Sequence, residues 1–145
     1  MAIVFTGGSV FIGDGRILDR ATVIIEGDRI QKVSQKDTVL PRDAEVIDIK
    51  GKMLLPGFVD CHLHIMIDGS PNPMAAVEGN SMHMLTLRAT VHARDTLMSG
   101  ITTARDMGGN GVAEIAIRDA IKMGMIQGPR LLVSGQQICM TGGQG

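Results

Sequence analysis

From Phe58 onward the chain alternates short apolar or β-branched runs with helix-length segments, and this alternation limits the available folds more than any other feature. Phe58 to Ile65 (FVDCHLHI) reads as a strand. Asn80 to Ser99 reads as a helix, with Asn80 or Ser81 placed to cap its start and Gly100 just past its end. ITTARD (101 to 106) reads as a second strand, Gly108 to Gly111 as a loop, and Val112 to Met123 as a helix stopped by Gly124. After a turn at Gly128-Pro129, Arg130 to Ser134 forms a third strand. Strand, helix, strand, helix, strand is the order of parallel β/α units, and it predicts an α/β fold class.

Pro56-Gly57 marks where this pattern begins. Upstream the segments are short and β-rich: Ala2 to Thr6, Ala21 to Glu26, Arg29 to Ser34, Glu45 to Ile49 and Lys52 to Leu55. Gly27-Asp28 between two of them is a two-residue hairpin signal. The expected organisation is a small β-sandwich segment over 1–55, followed by a β/α segment over 56–145.

Within the predicted first strand, Asp60, His62 and His64 recur at every second position. Side chains alternate across a strand, so these three project together while Cys61, Leu63 and Ile65 face the other way, toward the helices. Three polar groups on one face need a site or partners, because burying them unpaired is costly. Two imidazoles at this spacing can converge on one ion. They can equally be two satisfied structural histidines, and the residues alone leave both readings open. A catalytic zinc takes three protein ligands and a water. His83 and His92 lie nine residues apart on the predicted first helix, so they point to opposite sides of it. His83 is expected at the surface and His92 packed on the stripe with Leu85 and Ala89. Neither completes a metal site.

Composition narrows the function classes. Aromatic residues make up only 2%, with no Trp or Tyr, which argues against a base-stacking surface. The net charge of -1, from 14 basic and 15 acidic residues, provides no basic field for nucleic acid or a membrane surface. With so few aromatics, the 11 methionines are expected to help fill the core. Cys61 and Cys139 form neither a CxxC pair nor a disulfide framework and are expected to be buried thiols of a cytoplasmic protein. MAIVFTGGSV has no basic region followed by a long apolar run, so no signal peptide is expected. No apolar run approaches the about 18 residues that span a bilayer.

Taken together, the motifs resemble a known family. LPGFVDCHLH (55 to 64) resembles the PGxxDxHxH signature of the amidohydrolase superfamily. EGDRIQKV and VIDIKGKMLLPG resemble the small β-sandwich that precedes the barrel in many members. GITTARDMGG and GPRLLVSGQQICMTGGQG resemble the second- and third-strand segments of its prolidase and imidazolonepropionase-like branch. The resemblance implies a (β/α)8 TIM barrel with its site at the C-terminal ends of the strands. It implies His62 and His64 as metal ligands, a divalent metal as cofactor (zinc, one or two ions), and a metal-activated hydroxide that attacks an amide carbonyl. The implied substrates are an Xaa-Pro or other dipeptide, or an N-acyl amino acid. A cyclic amide such as an imidazolone is the alternative. Homo-oligomers are common in the family. The remaining ligands and the general base belong to later strands, so the catalytic base is expected outside this sequence. A full barrel takes roughly 250 residues. The chain therefore reads as the N-terminal portion, strands 1–3, of a longer enzyme, inactive alone, or else as a non-catalytic assembly piece. Relatives usually read TGGHG where this chain has Thr141-Gly142-Gly143-Gln144-Gly145, so Gln144 is a candidate substrate contact with an altered charge preference.

Three further motifs bear on function. Asp106, at the end of the second strand, is a candidate rim or substrate residue, or else a loop anchor. Gly109-Asn110-Gly111 is a tight turn and not a dinucleotide fingerprint, because Glu114 stands where glycine is required and would repel a pyrophosphate. Ser134 lies in V-S-G, not in the G-x-S-x-G of a nucleophile elbow.

Overall fold

The computed structural model describes residues 1–109 and 111–143, so Asn110 and the candidate Gln144 lie outside the described residues. The chain divides into two compact units, Met1–Pro56 and Gly57–Gly145.

The first unit contains seven strands in chain order: β1 (Ala2–Thr6), β2 (Ser9–Phe11), β3 (Ile17–Leu18), β4 (Thr22–Glu26), β5 (Arg29–Ser34), β6 (Glu45–Asp48) and β7 (Met53–Leu54). They form a four-stranded sheet, β5-β4-β1-β6, and a three-stranded sheet, β3-β2-β7. Strands β4 and β5 are antiparallel, with Glu26 opposite Arg29. The two residues between them form the expected hairpin, and Gly27 takes the left-handed φ of 61° that such a turn needs. Val10, Ala21 and Val23 form a buried cluster with Phe5, Ile12, Leu18, Ile25 and Leu54 packed against it. β2 and β3 were not expected from the sequence, since runs of two or three residues carry too little periodicity.

The second unit begins with β8 (Phe58–Leu63), followed by α1 (Pro73–Glu78), α2 (Met82–Met98), β9 (Ile101–Asp106), α3 (Ala113–Lys122) and β10 (Arg130–Val133). Its sheet is parallel throughout, with the order β10-β9-β8. Each parallel step is bridged by helix, as the alternation of segments predicts. Ser81 is the cap of α2, its side chain accepting a hydrogen bond from the Met84 amide. Its buried stripe is Leu85, Ala89 and Ala93, at the helical spacing of four. Together with Ile65, Met66, Val77, Ala104, Ala113, Ile117 and Leu131 these residues form one core cluster. Ala89, Ala93 and Ala104 are fully buried, and their small side chains let α2 lie close against the sheet.

Some expectations are corrected here. β8 ends at Leu63, not Ile65: Leu63 pairs with Asp106, where β9 also ends, and the ladder slips between Asp60 and Leu63. Three residues of β8 there span two of β9, which breaks the strict alternation. Helix α1 was missed, although Asn72 caps it and Pro73 stands at its first position. Both cysteines are exposed, not buried. Cys61 lies on an edge strand of the three-stranded sheet, and Cys139 follows β10 outside regular structure. The methionines are not chiefly core: Met66 is buried and Met107 half-buried, while the other nine are exposed. Met82, Met84 and Met98 lie on α2, Met74 on α1, Met53 in β7, and Met123 and Met125 just after α3. Among the described residues no helix is long and apolar enough to cross a membrane.

Candidate metal centre

The C-terminal end of β8 carries the two histidines. Asp60 turns its carboxylate back onto its own chain, where Oδ1 accepts the His62 amide at 2.9 Å. That contact, together with the ladder slip, shapes the segment that presents His62 and His64. The two imidazole rings lie with centroids 5.4 Å apart and planes inclined at 73°. Both line a cleft of about 690 Å³ with Met66, Ile67, Met107, Gln136 and Gln137.

The surroundings of His64 indicate which ring nitrogen donates. Its Nδ1 lies 2.7 Å from the Gly108 carbonyl oxygen. A carbonyl oxygen can only accept, so Nδ1 carries the hydrogen and Nε2 of the neutral ring presents a lone pair. Gln137 Nε2 lies 3.5 Å from that same Nδ1 and 3.4 Å from the Gly108 oxygen. With Nδ1 already a donor, the Gln137 amide donates to the carbonyl and not to the ring. His62 is exposed, and among the described residues its ring has no hydrogen-bond partner. In the neutral form each imidazole offers one lone pair, and two such donors beside a cleft suit a borderline divalent cation such as zinc. Among the described residues no group of three or more His, Cys, Asp or Glu side chains that could hold a metal ion is found.

The remaining sequence candidates fall on both sides of this site. His83 is exposed on α2, as expected. His92 is a packed helix histidine whose Nδ1 meets the Ile65 carbonyl at 2.9 Å. Asp106 is 1% exposed and takes the loop-anchoring role: Oδ1 accepts the Gly108 amide and Oδ2 the Ile65 amide, both at 2.8 Å. Ser134 lines the cleft.

Two features escaped the sequence reading. Helix α1 contributes Met74 and Val77 to the cleft wall, and the Asn72-Pro73 pair was the signal for it. Glu114, in the first turn of α3, is fully buried, and neither carboxyl oxygen has a hydrogen-bond partner among the described residues. Burial pushes its pKa above the usual carboxylate range; its own backbone amide works against this, and the charge of Asp106 adds to it. Only contact information marks this residue as unusual, since an acid in a first helical turn is ordinary in sequence.

Residues 53–141 match the amidohydrolase family. The chain belongs to the amidohydrolase family. An imidazolonepropionase of Vibrio cholerae serotype O1 is 30% identical to this amidohydrolase chain over 133 residues, covering 74% of this chain and 32% of the relative. The crystal structure of a prolidase complexed with N-methylphosphonate-L-proline superposes with a TM-score of 0.84 at 30% identity, over 99% of this chain and 34% of that one. A Xaa-Pro dipeptidase with bound methionine in the active site gives a TM-score of 0.83 at 29% identity, over 99% and 35%. The chain thus spans about a third of the length of these proteins. Its α/β architecture is that of a corresponding part of an amidohydrolase TIM barrel.

Proposed function

We propose that this amidohydrolase chain is part of a metal-dependent hydrolase of C–N bonds, acting on an Xaa-Pro or other dipeptide or on an N-acyl amino acid. The observation that carries this reading is the pair of imidazoles at the end of β8, with His64 Nε2 left as a lone-pair donor by the Nδ1 contact to Gly108. His62 and His64 would hold the ion, for which zinc is the proposed identity. A divalent ion bound there would supply Lewis-acid polarisation of an amide carbonyl and acidification of water. This chain's own residues do the binding and shaping. Met66, Ile67, Met74, Val77, Met107 and Ile138 give the cleft an apolar wall suited to a small side chain or ring. Gln136 and Gln137 offer neutral amides that can donate to a substrate carboxylate or accept from its amide.

The imidazolonepropionase relative supports a second reading, hydrolysis of a cyclic amide, with the same two histidines in the same role. A non-catalytic assembly role is the third.

The test uses full-length protein loaded with zinc and assayed against Xaa-Pro dipeptides, N-acyl amino acids and cyclic amides. Turnover of one class, with a loss of at least about 10²-fold in the His62→Ala and His64→Ala variants, is the expected result. Turnover that survives both substitutions would refute the metal reading. Stable zinc-free protein with no activity on any class would favour the assembly role.

A further inference from the structure

We propose that Asp106 is the positioning residue that sets His64 for metal binding, an inference that rests on the reading of His62 and His64 as ligands. Asp106 ends β9, 42 positions from His64 in sequence (106 minus 64), yet its carboxylate grips both sides of that histidine's surroundings. Oδ2 holds the amide of Ile65, the residue that follows His64. Oδ1 holds the amide of Gly108, whose carbonyl accepts the hydrogen on His64 Nδ1. The ring's hydrogen-bond acceptor and the adjoining backbone are therefore fastened to one buried group.

Other contacts complete the frame. The Ile65 carbonyl lies 2.9 Å from His92 Nδ1, so the residue after His64 is held at its amide by β9 and at its carbonyl by α2. The His64 carbonyl accepts the Ile67 amide at 3.1 Å. Gly108 sits at φ +107°, and a Cβ there would meet the Gln137 side chain at 2.8 Å and its amide at 2.9 Å. The residue carrying the acceptor is thus confined to a backbone conformation that favours glycine, and the Asp106 bond holds it there.

An asparagine at 106 keeps the shape but offers one acceptor oxygen for two amides, so one of the two must lose its bond. Hydrogen-bond partners that orient metal-binding histidines typically change affinity by about 10–100-fold when removed. Leu85→Ala serves as a comparison, since it weakens the same core without touching the Asp106 bonds.

The experiment titrates zinc ion alone into metal-free full-length protein by calorimetry, for the unsubstituted protein, Asp106→Asn and Leu85→Ala. In parallel, nitrogen NMR of the unsubstituted protein reads the His64 tautomer, with exposed His83 as internal reference. The expected results are an Nδ1–H tautomer at His64, zinc affinity reduced about 10–100-fold in Asp106→Asn, and little change in Leu85→Ala. Equal affinity in Asp106→Asn and unsubstituted protein would overturn the inference while leaving the metal reading intact. An equal loss in Leu85→Ala would also overturn it, as a general effect of instability. Zinc binding by no form would overturn the functional reading itself. Should Asp106→Asn fail to fold, the tautomer decides: an Nε2–H ring at His64 refutes the positioning role.

Discussion

Replacing Glu114 with methionine is expected to stabilise the protein, although it removes a charge from the first turn of a helix. Glu114 is fully buried, and its two oxygens find no partner among the described residues. Gly109 and Met66 lie close to it: a Cβ at Gly109 would lie 3.4 Å from Glu114 Oε2 and 3.0 Å from the Met66 sulfur, and the nearby Asp106 charge disfavours ionisation. A buried polar group without its hydrogen bonds costs about 1–3 kcal/mol. Methionine is unbranched, of similar length, and ranks beside glutamate in helix propensity. What is lost is the favourable interaction of a first-turn carboxylate with the helix dipole, about 0.3–1 kcal/mol, and only while the acid is ionised. The net gain expected is about 1–2 kcal/mol, read as a rise in Tm.

The gain also has a definite pH dependence. Burial raises the folded-state pKa of Glu114 above its unfolded value. Between the two values the folded protein holds more protons than the unfolded one, so stability falls as pH rises through that window. The advantage of Glu114→Met should therefore be smallest below the ordinary carboxylate pKa of about 4.3 and grow to its full size above the raised value. Thermal unfolding followed by circular dichroism, from about pH 4 to about pH 8, measures this directly. A lower Tm in the variant at neutral pH, or a gain that does not change with pH, would refute the reasoning. Either would mean that Glu114 is paired in the folded protein.

Two further substitutions test the packing around the site. Leu85→Ala, at a side chain 2% exposed in the core cluster, should cost about 2–5 kcal/mol, read as the shift in denaturant midpoint. Ser81→Ala removes the acceptor for the Met84 amide and should cost about 0.5–1 kcal/mol, with the loss of amide-exchange protection concentrated in the first turn of α2.

Sequence alone predicted the main β/α order after Pro56 and five of the seven strands before it, and it singled out His62 and His64 as candidates. The run of strands before Pro56, the hairpin at Gly27-Asp28 and the strand–helix alternation after it are local patterns, written in neighbouring residues and in turn chemistry. His62 and His64 stand out as candidates for the same reason, two positions apart at the end of a predicted strand, with His64 lying just past β8. The tertiary structure decided what each site residue does. Asp106 could have been a rim contact or an anchor. It is an anchor because β9 lies beside β8 and brings its carboxylate to the amides of Ile65 and Gly108. His92 on α2 meets the Ile65 carbonyl, and Glu114 on α3 is buried with no hydrogen-bond partner among the described residues; both depend on what the fold places beside them. The exposure of both cysteines and of nine methionines was likewise invisible beforehand. Periodicity reports which residues share a face, but burial and hydrogen bonding depend on what chain-distant segments place against that face.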